Sequence, residues 1–102
     1  MSLPLFVRVE AKEDLATARD WYEQQEPGLG LRFMTQVAVT FERIQTMPEM
    51  YASIWRKVRA CKLRRFPYVV YYRTLTDRTE ILAVLHGGRD AAVWRSRTSN
   101  GP

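Results

Sequence analysis

The side chains of this sequence that could take part in catalysis or in binding an anion are one histidine and numerous arginines. His86 is the only histidine among 102 residues, and it stands just before Gly87-Gly88 and Arg89. An imidazole among cations could serve as a general acid or base, since neighbouring cations favour its neutral form. The commoner role of a lone histidine at a strand end is a hydrogen bond to the backbone. No partner for His86 is visible in the sequence, so both roles stay open.

Cations gather in the run from Arg56 to Arg73, where they alternate with apolar and aromatic residues. Such alternation is typical of neighbouring strands with one buried and one basic face. Guanidinium groups bind phosphates and carboxylates at two points, so the run could meet nucleic acid or an acidic protein. A plainer explanation is a solvated strand face that resists edge-to-edge aggregation. The candidate contact residues are Arg59, Lys62, Arg64, Arg65, Arg73 and Arg89.

The charge of the chain is divided unevenly along its length. Residues 1–51 carry a net charge of −3 and residues 52–102 carry +8, within a total of +5. A basic half with aromatic residues in its strands favours a surface that meets an acidic partner.

Other kinds of site are excluded by residue type. Cys61 is the only cysteine, so neither an internal disulfide nor a thiolate zinc site is expected, and we expect it to be a small buried residue. The glycines lack the spacing of a phosphate-binding loop. We therefore expect no metal and no cofactor. No apolar stretch approaches the roughly 20 residues that cross a bilayer, and no secretory signal is visible, which favours the cytoplasm and no membrane partner.

The first half of the chain predicts a strand and two helices. Alternating Leu5, Val7 and Val9 indicate a strand with one apolar face. A helix follows over Ala11–Gln25, and after Pro27 and two glycines a second one over Leu31–Met47. So short a link predicts an antiparallel helical hairpin. The expected inward faces are Ala11, Leu15, Ala18 and Tyr22 on the first helix and Met34, Val37, Ala38, Phe41 and Ile44 on the second.

The second half predicts strands over 57–66, 68–74 and 79–86, the last apolar on both faces and therefore interior to the sheet. Asp90 is a plausible N-cap for a short helix over 91–97, and 98–102 should form a frayed tail. We assign Trp21, Tyr22, Phe33 and Phe41 to the core. Trp55, Tyr51 and Trp94 are left for a lid or a partner site.

The predicted fold is therefore a single α+β domain over residues 1–97. Its order is β-α-α-β-β-β, with the helical hairpin on one face of a small antiparallel-rich sheet and a short C-terminal helix. The opposite face should be concave and lined by strand residues of the basic half.

An ordered set of segments then resembles the RelE/ParE superfamily of bacterial type II toxins, and within it the ParE-like, plasmid-stabilisation branch. The set spans nearly the whole chain. The matching segments are Asp14-Leu15, Trp21-Tyr22-Glu23, Pro27-Gly28-Leu29-Gly30, Arg32-Phe33, Leu63-Arg64-Arg65-Phe66-Pro67-Tyr68, Tyr71-Tyr72-Arg73, Ile81-Leu82-Ala83-Val84-Leu85-His86, Arg89-Asp90 and Trp94-Arg95.

The resemblance implies a small toxin that a cognate antitoxin holds inactive. In this family the antitoxin wraps part of the helical hairpin and the sheet edge, and an acidic segment that folds on binding would suit the basic half. ParE-type members poison DNA gyrase by binding it. RelE- and YoeB-type members cut mRNA on the ribosome with basic strand residues and a terminal tyrosine or histidine.

The sequence resembles the ParE type more closely, because it continues past the last strand into a helix-forming tail and has no tyrosine after Tyr72. That tail adds Trp94 and Arg95 to the candidate residues for target or antitoxin binding. The alternative is a ribosome-dependent endoribonuclease with His86, Arg65 and Arg73 as its catalytic residues. A toxin that has lost its activity and only binds is a third possibility.

Overall fold

The computed structural model describes residues 2–98, which form three helices and five strands. In chain order they are β1 (Leu5–Val7), α1 (Val9–Gln25), α2 (Leu29–Thr46), β2 (Ser53–Trp55), β3 (Val58–Lys62), β4 (Tyr68–Thr74), β5 (Thr79–His86) and α3 (Ala91–Ser96). The α+β class, the helical hairpin and the short C-terminal helix are confirmed. None of the helices is both long and apolar enough to span a bilayer.

The strands form one sheet in the order β1-β5-β4-β3-β2, in which β1 runs parallel to β5 and every other pair is antiparallel. Residues 79–85 of β5 are all buried, because the strand has a neighbour on each side and a packed layer on each face. Its predicted interior position is confirmed.

The strand β5 contains a bulge that changes which way its last residues face. Tyr71 lies opposite Ala83, but Tyr72 lies opposite Ile81, so Leu82 has no partner in β4. Beyond the bulge, Val84 packs with the helical hairpin, while Leu85 packs on the other side of the sheet.

The helical hairpin covers one face of the sheet. The buried residues of α1 are Ala11, Leu15, Ala18 and Tyr22, as its periodicity predicts. The face of α2 was predicted less well, since Ala38 is exposed. Gly30 lies on the buried face, where a Cβ would be 2.8 Å from the Arg19 carbonyl oxygen, so the two helices approach closely at this point. The buried residues of α2 are Gly30, Phe33, Val37, Thr40 and Ile44.

Two boundaries differ from the sequence prediction. Val9 begins α1 and is 67% exposed, so it does not extend the apolar face of β1. The strand predicted over 57–66 is shorter, because β3 covers only Val58–Lys62, and it forms a hairpin with β2 (Ser53–Trp55), a strand that the sequence analysis missed. The turn of this hairpin, at Arg56, has a φ of 53°, a left-handed conformation. Glycine or asparagine usually marks such a turn in a sequence, and neither is present here.

The sequence analysis predicted an open concave surface on the face of the sheet opposite the hairpin. That prediction was wrong, because α3 packs on this face. Trp94 is 3% exposed and stacks on Tyr71, with ring centroids 4.8 Å apart. Asp90 caps α3 as predicted, since its Oδ1 accepts a hydrogen bond from the Ala92 N–H at 2.9 Å. The predicted tail over 98–102 lies outside the described residues except for Thr98, whose N–H donates to the Arg95 carbonyl at 3.1 Å.

Replacing Trp94 with alanine should destabilise the fold far more than the same change at Trp21. Trp21 was assigned to the core but is 54% exposed. Removal of a buried tryptophan costs about 3–5 kcal/mol, whereas an exposed side chain costs well under about 1 kcal/mol. Urea denaturation of Trp94→Ala and Trp21→Ala measures both changes. Equal losses would contradict the packing of α3 on the sheet.

Candidate interaction surfaces

The eight residues expected to bind a partner do not form one surface. The sheet separates them, and several are engaged in contacts within the fold.

Arg73 holds a buried carboxylate. Its Nε donates to Glu80 Oε1 at 2.8 Å, and Glu80 is only 1% exposed. Arg8 lies on the other side, with Nη1 3.6 Å from Glu80 Oε2. A buried charge needs partners of this kind, because desolvation alone would cost several kcal/mol. The main role of Arg73 is therefore structural, as the ion-pair partner of Glu80.

Arg59 is also engaged by the fold. Its Nη1 donates to the Tyr51 carbonyl at 2.6 Å and lies 3.4 Å from the Glu49 carbonyl. The hydroxyl of Tyr72 donates to the Pro48 carbonyl at 2.5 Å nearby, and burial raises the pKa of Tyr72 to about 12. These bonds hold the connection between α2 and β2 against the sheet.

Arg64 and Arg65 lie in the loop between β3 and β4, where they face α2. Two adjoining clefts of about 320 and 590 Å³ separate the loop from the helix, and both are lined by Gln36 and Arg65. We call these clefts together the α2 groove. Its other lining residues are Leu29, Arg32, Thr35, Val39, Arg43, Arg64 and Phe66.

The α2 groove has a strongly basic lining. Four arginines line it and no carboxylate does, although Arg32 is paired with Glu26 outside the groove. Sequence analysis missed Arg43 as a site residue and used Arg32 only as part of a motif. The signal was present, because Arg32, Gln36, Val39 and Arg43 recur at the three- and four-residue spacing of one helical face.

An aromatic cluster fixes the loop that carries Arg64 and Arg65. The ring of Phe66 lies 5.0 Å from that of Tyr22 and 5.4 Å from that of Phe33, in edge-to-face contacts. Tyr68 meets the same two rings at 5.9 and 5.3 Å. The wall of the α2 groove is thus attached to the hairpin core, so that its arginines project from a rigid base.

His86 lies at the end of β5 on the hairpin side. Its ring is 5.7 Å from that of Tyr68, and its Nδ1 accepts a hydrogen bond from the Gly88 N–H at 3.2 Å. Arg89 lines the same small cleft, of about 190 Å³, against α1. The backbone hydrogen bond is the plainer of the two roles considered for His86. Within residues 2–98 no group of three His, Cys, Asp or Glu side chains could hold a metal.

The structure does not bring together the three residues of the endoribonuclease alternative. His86 is opposite Tyr68 at one end of the β4–β5 ladder, and Arg73 is opposite Glu80 near the other end. Tyr68 and Arg73 are five positions apart in β4, about 17 Å along a strand. Arg65 lines the α2 groove, which is a different cleft again.

The remaining candidates lie on the α3 side. Trp94 is buried, so it supports this surface and does not present itself to a partner. Arg95 is exposed, with its guanidinium carbon 5.1 Å from the centroid of the Trp55 ring. Lys62 is exposed at the end of β3.

Comparisons with known proteins agree on one family. A sequence model described as the ParE toxin of the type II toxin–antitoxin system parDE matches residues 5–91. Toxin ParE2 from two strains of Mycobacterium tuberculosis, CDC 1551 / Oshkosh and ATCC 25618 / H37Rv, is 32% identical over 88 residues, which cover 85% of this chain and 84% of the relative. A solved chain titled "Chromosomal ParDE TA system from P. aeruginosa" has a TM-score of 0.75 at 21% identity, over 83% of this chain and 96% of that one.

Replacing Arg73 with glutamine should lower the stability of the fold. The change leaves the buried Glu80 carboxylate with Arg8 alone, and breaking a buried pair costs about 3 kcal/mol. Arg89→Gln is the matched control, because Arg89 is exposed and its loss should cost less than about 0.5 kcal/mol. Thermal or urea unfolding measures both variants. A stable Arg73→Gln protein would show that the ion pair contributes little.

Proposed function

The chain belongs to the ParE toxin family of type II toxin–antitoxin systems, and we propose that it inhibits DNA gyrase by binding and is neutralised by a cognate antitoxin. The observation that favours binding over RNA cleavage is the separation of His86, Arg65 and Arg73. An acid–base catalyst and the cations that stabilise a phosphorane must surround one reacting phosphate group, each within hydrogen-bond reach of one of its oxygens or of the attacking hydroxyl. Those three side chains lie in different places.

The α2 groove is the surface we assign to the antitoxin. The lining combines the apolar residues Leu29, Val39 and Phe66 with four arginines. An amphipathic segment with apolar residues on one side and carboxylates on the other would match both features. Such a segment is commonly disordered when free and folds as it binds.

The backbone of Arg65 supports this assignment. Its φ is 69°, in the left-handed region that side chains with a Cβ adopt at a cost of about 1 kcal/mol. Strained residues of this kind concentrate at binding sites. A glycine would relieve the strain but would supply no guanidinium to the groove.

This assignment explains how an antitoxin would neutralise the toxin, provided that gyrase binds through the same arginines of the α2 groove. An antitoxin segment in the α2 groove would then exclude gyrase by direct competition. Arg95 and Lys62, on the α3 side of the sheet, remain further candidates for gyrase contacts.

We expect the purified protein to inhibit supercoiling by gyrase, with Arg65→Glu raising the half-inhibitory concentration at least about tenfold, or about 1.4 kcal/mol. Lys12→Glu reverses the same charge on the exposed face of α1 and should act like the unmodified toxin. Unaffected supercoiling at excess toxin would count against gyrase as the target. Primer-extension mapping of mRNA on ribosomes tests the endoribonuclease alternative in parallel.

The antitoxin should bind Arg65→Glu at least about tenfold more weakly than the unmodified toxin, because a carboxylate would replace a guanidinium opposite its acidic segment. Isothermal titration with the cognate antitoxin measures the difference, with Lys12→Glu as the control. If Arg65→Glu loses gyrase inhibition but keeps the antitoxin, the two partners use different surfaces and neutralisation is not competitive at Arg65.

A further inference from the structure

We propose that a second basic groove, on the α3 side of the sheet, binds the phosphate backbone of a nucleic-acid strand. The groove runs from Trp55 past the β2–β3 turn to Arg78, and we call it the Trp55 groove. This proposal does not depend on gyrase as the target or on the antitoxin site. It rests on the shape, charge and stacking of residues outside the α2 groove.

The Trp55 groove is larger than a single small-molecule pocket. It consists of two clefts of about 320 and 610 Å³, which share Lys57, Thr74 and Leu75 among their lining residues. Either cleft has a volume in the range of pockets that hold small ligands, and the two together continue beyond one such ligand. A chain of phosphates fits this shape better than a single free nucleotide.

Two guanidinium groups near the first cleft are held in place by one indole. The guanidinium carbon of Arg56 lies 4.4 Å from the centroid of the Trp55 ring, and that of Arg95 lies 5.1 Å away. A guanidinium stacked on an aromatic ring keeps its edge N–H groups available to a phosphate, and less side-chain entropy is lost on binding. Trp55 itself packs edge-on against buried Trp94, at 5.8 Å between ring centroids.

The cations at the turn are exposed and lack acidic partners. Arg56 and Lys57 form no salt bridge within residues 2–98. At the far end of the groove, Asp77 is already paired with Arg78 at 3.2 Å. Glu80 is buried against Arg73 and does not offset the charge at the turn. The part of the groove near Trp55 therefore presents positive charge without a competing carboxylate.

The walls of the groove suit a sugar–phosphate chain. Leu75 provides apolar surface for a sugar, and Thr74 supplies a hydroxyl that can donate to a phosphate oxygen. Arg56 also has a φ of 53°, so the turn keeps an arginine where a glycine would be unstrained.

The test is fluorescence anisotropy of a labelled twelve-nucleotide oligothymidylate titrated with the full chain over a range of salt concentrations. We expect Lys57→Gln and Arg56→Gln each to weaken binding several-fold. We also expect each to reduce the slope of log affinity against log salt by about 0.7, the value for one lost contact to single-stranded nucleic acid. Lys12→Gln is the matched control, because it removes the same charge from the exposed face of α1. It should change the affinity and the slope only by the small amount that comes from lowering the net charge of the protein by one.

Three results would overturn the proposal. The first is no binding at low salt. The second is an equal loss in Lys57→Gln and Lys12→Gln, which would mean that the strand responds only to net charge. The third is competition by ATP at concentrations that saturate the site, with no advantage for the oligonucleotide, which would identify a mononucleotide pocket. Because the measurement contains neither gyrase nor antitoxin, its failure is distinguishable from failure of the proposed function.

Discussion

The packing of the helical hairpin, the sheet and the C-terminal helix depends on one carboxylate beside the bulge in β5. Asp14 Oδ2 accepts a hydrogen bond from the Val84 N–H at 3.0 Å, and its carboxylate binds Arg97 at 2.7 and 3.2 Å. Arg97 also donates to the Leu82 carbonyl at 3.0 Å. Backbone groups that have no strand beside them are thus satisfied by α1 and by the residue that follows α3. One carboxylate joins the hairpin, the sheet and the C-terminal helix.

The bulge decides which face of the sheet carries His86. In a regular strand, residues alternate between the two faces, and His86 would share the α3 side with Arg73. The extra residue Leu82 reverses the alternation, so His86 packs on Tyr68 on the hairpin side. The sequence alone could not reveal this, because Leu82 is as apolar as its neighbours. The bulge thus adds a difference of sheet face to the distance along the ladder that already separates His86 from Arg73.

What the sequence predicts well is local, and what it misses is held by contacts distant in the chain. The face of α1 follows from its periodicity, and Asp90 is recognisable as a cap from its own residue type. Burial of Trp94 depends on Tyr71, twenty-three residues earlier, and engagement of Arg73 depends on the carboxylate of Glu80 across the ladder. The basic run was therefore visible, but the division of its cations between structure and surface was not.

The exposed cations are divided between two grooves, and this arrangement would allow two partners to bind one small domain at the same time. The residues other than glycine that have positive φ within residues 2–98 are Arg56 and Arg65, one in each basic groove. Each occupies a turn that glycine would fit with less strain, so each position gives up stability for a guanidinium. The five-stranded sheet lies between the two grooves, because Phe66 packs with the hairpin core and Val58 with the α3 side. A partner in the α2 groove would leave the Trp55 groove accessible, so a toxin held by its antitoxin could still contact a nucleic-acid strand.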